Sequence, residues 1–228
     1  MGENRALERI VIVEDHGLMA HTLAGALSAS GWIVDVVELT PDAEVLPTIQ
    51  AALPDLVLLD LDLGPWGDAT DAIPALADDG VQVLVVTGID DPVRHARCVA
   101  AGAAGVVRKA SGFDHLVAAI TRTLRDGSLL TRHEREEHLG LLREHERAER
   151  RRLAPFEALS RREAEILGDL MAGQTVAAIA VRSYVSVGTV RTHVRAILRK
   201  LGAHSQVQAI GMARDAGWRP PQERVSHA

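Results

Sequence analysis

The sequence has little that would tie a small secreted domain together or hold a soft metal ion. Its one cysteine, Cys98, cannot form an intramolecular disulfide, and no paired cluster of cysteine and histidine indicates a zinc site. Aromatic residues make up 3% of the chain, so any core has to be built from aliphatic side chains. These absences exclude a disulfide-held domain and fit a reducing compartment.

Long apolar runs are missing as well. No segment reaches the length that a membrane-spanning helix needs. The start of the chain, MGENRALERIVIVEDH, has no long apolar segment before its first acidic pair, and Ala6 lacks the hydroxyl of a myristoylation signal. We therefore expect a soluble, unprocessed, cytoplasmic protein.

Charge is distributed unevenly along the chain. Residues 1–130 carry 8 Lys and Arg against 19 Asp and Glu, a net charge of −11, whereas residues 131–228 carry 17 against 12, a net charge of +5. Such a division predicts two domains in 228 residues. The basic part is a candidate for binding a polyanion, and the acidic part for metal binding or regulation.

The acidic part alternates between strand-like and helix-like segments, which is typical of a doubly wound α/β fold with a five-stranded parallel sheet. Asp91 before Pro92 predicts the start of a helix, and the spacing of Ser111 and Asp114 predicts a capping box. The predicted strands are RIVIV (9–13), WIVDVV (32–37), DLVLLD (55–60), VQVLVV (81–86) and AGVVRK (104–109).

Polar residues follow several of these strands where each one ends. The stretch VLLDLDLGP, residues 57–65, places Asp60 and Asp62 directly after an apolar run. The carboxyl ends of parallel strands meet at one edge of a sheet, so these residues should converge there. The converging set is Glu14 and Asp15 after the first strand, Asp60 after the third, Thr87 after the fourth and Lys109 after the fifth.

This set predicts phosphoryl chemistry. Carboxylates that lie close together repel one another, and a hard cation such as Mg²⁺ with oxygen ligands relieves the repulsion. Asp60 could then attack phosphorus, while Lys109 neutralises the phosphoryl oxygens and the Thr87 hydroxyl donates a hydrogen bond. Taken singly, each residue has a plainer explanation, as a helix cap or a surface lysine. The joint occurrence favours the functional interpretation.

With these residues in place, residues 8–126 resemble the receiver domain of bacterial two-component response regulators. The resemblance implies that Asp60 accepts phosphate from a sensor histidine kinase and that Mg²⁺ is the cofactor. It implies direct metal ligation by Asp15, Asp60 and the main-chain carbonyl of Asp62, with Glu14 acting through water. Thr87 and Lys109 would stabilise the phosphoryl group and act in the switch.

The sequence departs from that family at three positions. Val106 stands where an aromatic switch residue is common, three positions before the lysine, and Ala110 replaces a frequent proline. The proline that usually lies four residues past the phosphoacceptor is displaced, because Gly64 stands there and Pro65 follows. The departure at Val106 puts in question whether Thr87 signals through rotation of an aromatic ring.

The segment TRHEREEHLGLLREHERAERRR, residues 131–152, has seven Arg, six Glu and three His among few apolar residues. Pairs such as Glu146 with Arg150 favour an exposed connecting helix, and a dimerising coiled coil is the alternative. Pro155 is expected to break this helix. Beyond it, LSRREAEIL places Ser160 and Glu163 at the spacing of a capping box.

In the basic part, apolar residues recur at helical spacing from Gly188 to Leu201, and arginines lie between them. A helix with one apolar face and one arginine-rich face suits the DNA major groove, although a merely solvated basic face is the alternative. The segments LSRREAEIL, AIA, VSVGTVRTHV and ILRKLG resemble the LuxR-type helix-turn-helix. Together with the receiver, this arrangement resembles the NarL/FixJ subfamily.

The resemblance makes the predicted helix from Gly188 to Leu201 the recognition helix, which enters the DNA groove, and assigns roles to its residues. It implies that Arg191, Thr192 and Arg195 face bases and that Thr189, Arg199 and Lys200 lie near phosphates. The preceding scaffold helix departs from the family, since Val176, Ala177 and Ala178 replace the usual polar Asn-Lys-Glu run and Ser183 stands where leucine is common.

We therefore predict a receiver domain at residues 1–128, a charged helical linker at 129–154, a helix-turn-helix domain at 155–218 and a disordered tail at 219–228. The predicted function is phosphorylation-dependent DNA binding that regulates transcription. The expected partners are a sensor histidine kinase, double-stranded DNA and, on phosphorylation or DNA binding, a second copy of the chain. Two alternatives are a haloacid dehalogenase-type phosphatase with Asp60 as nucleophile and a constitutive DNA-binding protein with a vestigial receiver.

Overall fold

The computed structural model describes residues 8–39 and 45–220. The chain divides into two compact units, Met1–Arg143 and Glu144–Ala228. Within the described residues, no helix is long and apolar enough to cross a membrane.

The first unit is built on a parallel sheet, and its described residues form five strands. The strand order is β2-β1-β3-β4-β5, so the direction of winding reverses between β1 and β3. The doubly wound fold predicted from the sequence is confirmed. The strands are β1 (Arg9–Val13), β2 (Ile33–Val37), β3 (Leu56–Leu59), β4 (Gln82–Thr87) and β5 (Gly105–Arg108).

Alternate residues of the central strands enter two different cores. In β1, Ile10 and Ile12 pack on one face of the sheet, and Val11 and Val13 pack on the other. All four side chains are buried, because helices cover both faces. This two-sided burial explains why the strands read as continuous apolar runs. The helices are α1 (Gly17–Ala29), α2 (Val45–Ala51), α3 (Ile73–Asp78), α4 (Pro92–Ala100) and α5 (Phe113–Asp126).

The predicted helix starts have different outcomes. The side chain of Asp91 caps α4 by accepting hydrogen bonds from the amides of Val93 and Arg94, as predicted. The capping box at Ser111 is wrong, because α5 begins at Phe113 after Gly112 and has no side-chain cap. Gly112 has a φ of 86°, a conformation that serine rarely adopts, so the glycine takes the capping position.

Helix α6 (Arg132–Glu157) contains most of the charged segment and is largely exposed, as predicted. Near its start, the Arg135 guanidinium donates to the carbonyls of Val99 and Ala103, at 3.2 and 3.1 Å. Pro155 does not break the helix, which continues to Glu157. A proline so close to the end of a helix removes one hydrogen bond, and the next residue, Phe156, is buried in the core of the second unit.

The second unit packs its short helices around an aliphatic core with one aromatic pair. The rings of Phe156 and Trp218 stack with their centroids 5.3 Å apart. Pro220 lies against α7, where a Cβ on Gly168 would come within 2.7 Å of its ring, and residues 221–228 of the predicted tail lie outside the described residues. The helices are α7 (Arg161–Met171), α8 (Val176–Arg182), α9 (Val187–Leu201) and α10 (Gln206–Asp215).

The predicted capping box at the start of α7 is confirmed and has an additional partner. The Ser160 hydroxyl accepts from the Glu163 amide, and the Glu163 carboxylate accepts from the Ser160 amide at 2.6 Å. The same carboxylate is 2.6 Å from Nζ of Lys200, near the end of α9. The Glu163 side chain is 7% exposed, so this carboxylate ties the start of α7 to the end of α9 inside the unit.

We predict that Glu163→Gln lowers the free energy of unfolding by about 2 kcal/mol at neutral pH, because Lys200 loses its charged partner. Burial disfavours the ionised carboxylate, but hydrogen bonds from Lys200 and Ser160 outweigh it and lower the pKa of Glu163. The ionised Glu163 carboxylate therefore makes its full contribution to the free energy of unfolding above the unfolded-state pKa of about 4.3. This contribution is lost as the pH falls through the lower folded-state pKa.

Urea unfolding of both proteins at a series of pH values measures this effect. The difference between them should be constant near neutral pH and should shrink in acid, while the control Glu165→Gln, on the same helix but more exposed, should cost less. A difference that persists unchanged in strong acid would contradict the role of the charge.

Candidate functional site

An ammonium group joins two carboxylates at the carboxyl edge of the sheet. Lys109, directly after β5, places its Nζ 2.8 Å from Oδ2 of Asp60 and 2.6 Å from Oε2 of Glu14. The two carboxylate side chains are 6% and 7% exposed. The edge therefore brings together residues that are 49 and 95 positions from Lys109 in the sequence.

The local backbone fixes each member of this cluster. The Asp60 amide donates to the carbonyl of Val13 at 3.0 Å and extends the pairing of β3 with β1 by one residue. Burial disfavours the charged form of Lys109, but hydrogen bonds to Asp60 and Glu14 and their negative charges outweigh it and raise its pKa. The lysine therefore stays protonated at neutral pH.

The loop after β3 lies close to Asp15. Gly64 has a φ of +57°, and a Cβ at this position would lie 3.0 Å from Oδ2 of Asp15. Proline cannot adopt this φ, which explains why the proline follows at position 65. The exposed side chain of Asp62 accepts a hydrogen bond from the Gly64 amide, at 3.2 Å. The Asp62 carboxylate therefore stabilises the loop itself. The main-chain carbonyl of Asp62 is the group that remains as a candidate metal ligand.

His16 was missed by the sequence reasoning, although it directly follows the acidic pair. Its Nδ1 lies 2.6 Å from Oδ1 of Asp15 and 3.1 Å from Oε1 of Glu14. Hydrogen bonds to Asp15 and then to Glu14 raise the pKa of His16. Potential ligand atoms of Glu14, Asp15 and His16 all lie within 4.8 Å of one another.

The donor set of this edge fits a hard divalent cation. Glu14, Asp15 and Asp60 bring three negative charges, of which Lys109 neutralises one. The uncompensated charge of −2 and the oxygen atoms match what Mg²⁺ requires. Asp15 and Asp60, with the carbonyl of Asp62 and with Glu14 nearby, are the residues that could hold such an ion.

Thr87 is fully buried at the end of β4, next to β3 in the sheet. Its hydroxyl oxygen accepts a hydrogen bond from the Ile89 amide at 3.1 Å. Among the described residues it makes no hydrogen bond to Asp60 in this conformation. The structure therefore places Thr87 at the correct edge, with its hydroxyl directed to the loop that leads to α4.

In the second unit, α8 and α9 form the helix-turn-helix. Val190, Val194, Ile197 and Leu201 of α9 are buried, as the apolar spacing predicted. The opposite side of α9 is exposed, and within residues 144–220 no salt bridge engages its arginines. The exposed candidates on this side are Thr189, Arg191, Thr192, Arg195, Arg199 and Lys200.

Three of these candidates have partners inside the unit. Lys200 is paired with Glu163. The Thr192 hydroxyl donates to the Gly188 carbonyl at 3.1 Å, and the Thr189 hydroxyl lies 2.9 Å from that of Ser186, the residue that caps α9. The other three candidates are Arg191, Arg195 and Arg199, whose guanidinium groups have no hydrogen-bond or salt-bridge partner in the described part of the unit.

Helix α8 presents an apolar outer surface. Ala177 and Ala178 are exposed, Val181 is 78% exposed, and Tyr184 in the following turn is 97% exposed with a φ of +54°. Ile179 and Ala180 face the core. The missing polar residues of this helix therefore change its solvent face and leave its packing intact.

Comparisons with known proteins cover both units. Residues 10–121 match the model of the response regulator receiver domain, and residues 157–213 match that of the luxR family of bacterial regulatory proteins. The probable transcriptional regulatory protein NarL of Mycobacterium tuberculosis is 31% identical over 207 residues, covering 90% of this chain and 93% of that protein. The transcriptional regulatory protein DesR of Bacillus subtilis is 25% identical and covers 92% and 98%.

A solved structure has a similar fold. The two-component response regulator of the LuxR family from Aurantimonas sp. SI85-9A1 matches with a TM-score of 0.50 and 23% identity, covering 60% of this chain and 99% of that one. The full-length relatives decide against the haloacid dehalogenase interpretation, because their receiver and DNA-binding parts both align. The chain belongs to the two-component response regulators of the NarL/FixJ subfamily, transcription regulators that combine a receiver domain with a LuxR-type DNA-binding domain.

Proposed function

We propose that Asp60 accepts a phosphoryl group from a sensor histidine kinase and that its phosphorylation controls DNA binding by α9. The observation that carries this proposal is the Lys109 ammonium, 2.8 Å from Asp60 and 2.6 Å from Glu14 at the carboxyl edge of the sheet. A lysine held there places its positive charge beside Asp60, where it would offset charge on the oxygens of an incoming phosphoryl group while the Asp60 carboxylate attacks phosphorus.

In the transfer, a carboxylate oxygen of Asp60 forms a bond to phosphorus while the bond from phosphorus to the kinase histidine nitrogen breaks. A bound Mg²⁺ would neutralise phosphoryl oxygens, and Asp15, Asp60 and the carbonyl of Asp62 are the residues that would hold it, with Glu14 nearby. Lys109 is placed to remain with a phosphoryl oxygen. The Thr87 hydroxyl, whose oxygen now accepts from the Ile89 amide, would turn and donate its hydrogen to another phosphoryl oxygen.

The DNA interface is the exposed side of α9. Arg191, Thr192 and Arg195 are proposed to contact base edges in the major groove, where arginine recognises guanine with two hydrogen bonds. Thr189, Arg199 and Lys200 are proposed to lie near phosphates, and the pairing of Lys200 with Glu163 would fix the direction of that charge. A second copy of the chain, recruited on phosphorylation or DNA binding, would read a second half-site.

These roles correspond to a receiver at residues 1–128, a connecting segment at 129–154 and a DNA-binding domain at 155–218. A chromosomal DNA target implies that the protein acts in the cytoplasm. Within this scheme, α6 is the segment through which the state of Asp60 would reach α9.

We predict that incubation with acetyl phosphate and Mg²⁺ adds one phosphoryl group to the protein and that Asp60→Asn abolishes the addition. The expected adduct is an acyl phosphate, so hydroxylamine should remove it. Intact-mass spectrometry measures both results, and Asp35→Asn is the control because this exposed carboxylate lies on β2 and pairs with Arg9. Undiminished labelling of Asp60→Asn would refute the assignment.

We also predict that Mg²⁺ binds without a phosphoryl donor and that Asp15→Asn weakens this binding about tenfold or more, because one charged ligand is lost. Isothermal titration calorimetry measures the affinity. Asp35→Asn, an exposed carboxylate on β2 that pairs with Arg9, is the control and should bind as the wild type does. Equal affinities of Asp15→Asn and the wild type would place the metal elsewhere.

The DNA interface gives a further prediction. On a duplex selected by the wild-type protein from a randomised library, Arg191→Ala and Arg195→Ala should each cost roughly 1 to 3 kcal/mol and relax the preference at one base pair. Arg199→Ala should weaken binding to all sequences and reduce the salt dependence of binding. Electrophoretic or anisotropy titrations at several salt concentrations distinguish a loss of base preference from a general loss of affinity. If Arg191→Ala lowers the affinity for all sequences equally, Arg191 does not contact a base edge.

A further inference from the structure

Arg94 on α4 binds both sides of the loop that follows the phosphoacceptor. Its Nη2 donates to the main-chain carbonyl of Leu61 at 3.0 Å and to Oδ2 of Asp68 at 2.9 Å. Leu61 is fully buried and stands between Asp60 and Asp62. A hydrogen bond to its carbonyl therefore restrains the peptide unit that joins Leu61 to Asp62, the residue whose own carbonyl is the candidate metal ligand.

The loop is closed on itself around this contact. Asp62 and Asp68 form an isolated antiparallel bridge, and the amide of Leu63 donates to the carbonyl of Gly67 at 3.1 Å. Asp68 is fixed in turn, because its carboxylate accepts from the amide of Thr70 at 2.9 Å. Arg94 thus holds a preformed hairpin-like segment by both of its strands.

The same arginine belongs to the start of α4, which is tied to the loop after Thr87. The backbone amide of Arg94 donates to the capping carboxylate of Asp91 at 3.2 Å. The ring of His95 contacts the carbonyl of Ile89 at 2.8 Å, and the amide of Ile89 is bound to the Thr87 hydroxyl. If Thr87 turned toward a phosphoryl group, it would release Ile89 and shift this start of α4, and Arg94 would carry the shift to residues 61–68.

Two features favour a coupling role over simple packing. Val106, at the position of the common aromatic switch residue, has no ring and no hydroxyl with which to follow Thr87. The Nε of Arg94 is buried and has no hydrogen-bond partner among the described residues. Both side-chain hydrogen bonds of Arg94 are made by Nη2, one to each side of the loop.

We propose that Arg94 is a positioning residue of the phosphoacceptor site, which couples the loop carrying Asp60 and Asp62 to α4. The proposal rests on the proposed function of Asp60 and adds the route by which occupancy of that site reaches α4 without an aromatic residue at position 106. Arg94 acts through the Leu61 carbonyl and Asp68.

The test uses the full chain with Mg²⁺ and beryllium trifluoride, a stable mimic of an aspartyl phosphate. Hydrogen exchange of the α4 amides is measured with and without the mimic, and the Mg²⁺ affinity is measured by calorimetry. The variant is Arg94→Gln, which removes the charge and the double contact. The matched control is Arg97→Gln, an exposed arginine on the same helix.

In the wild type and in Arg97→Gln, the mimic should change the exchange of α4. In Arg94→Gln, the mimic should still bind while the change in α4 is lost, and the Mg²⁺ affinity should fall about tenfold. A purely structural role would lower the unfolding temperature but leave the response of α4 intact, and that result would overturn the proposal.

Two further outcomes remain decisive. If Arg94→Gln does not fold, Asp68→Asn, which removes the other half of the ion pair, takes its place, and a wild-type response in that variant overturns the coupling. If the wild type itself neither binds the mimic nor labels at Asp60, the proposed function fails and the role of Arg94 fails with it. If the wild type binds the mimic and Arg94→Gln still shows the change in α4 exchange, only the role of Arg94 is refuted. The proposed function of Asp60 is then unaffected.

Discussion

The first unit depends on one electrostatic constraint: three carboxylates share the carboxyl edge of a parallel sheet. Glu14, Asp15 and Asp60 would repel one another there, and the Lys109 ammonium removes part of that repulsion by contacting two of them. One lysine cannot neutralise three carboxylates. The remaining negative charge is what a cation bound at this edge would offset.

The second unit uses a buried carboxylate in a comparable way. Glu163 closes the capping box of α7 and accepts from Lys200 of α9, so one acidic side chain fixes two helix ends. The apolar face of α9 then stays in the core, and its arginines stay in solvent. Packing of the apolar face of α9 and this ion pair therefore set which side of α9 is exposed.

The departures from the family pattern become understandable as local geometry. Gly64 has a positive φ beside Asp15, which a proline cannot adopt, so the proline occurs one residue later. Because Val106 has no aromatic ring, no ring at this position can follow a movement of Thr87. The contacts of Arg94 connect α4 to the loop after β3 instead. The apolar surface of α8 leaves the exposed arginines of α9 as the main positive charge that the helix-turn-helix offers to DNA.

Local patterns in the sequence determined much of this protein. Apolar runs specified the strands, and their parallel arrangement specified that Glu14, Asp60 and Lys109 would meet, because parallel strands end at one edge. Helical spacing specified the buried face of α9, and the Ser160–Glu163 box was predictable from two residues. The tertiary structure decided which groups became partners: Lys200 with Glu163, Arg94 with Leu61 and Asp68, and Lys109 with both carboxylates. The tertiary structure also allows α6 to continue past Pro155 and places Gly112, not Ser111, at the N-cap of α5. These features depend on contacts between distant segments and on backbone angles, whereas a local sequence pattern reports only what neighbouring residues favour.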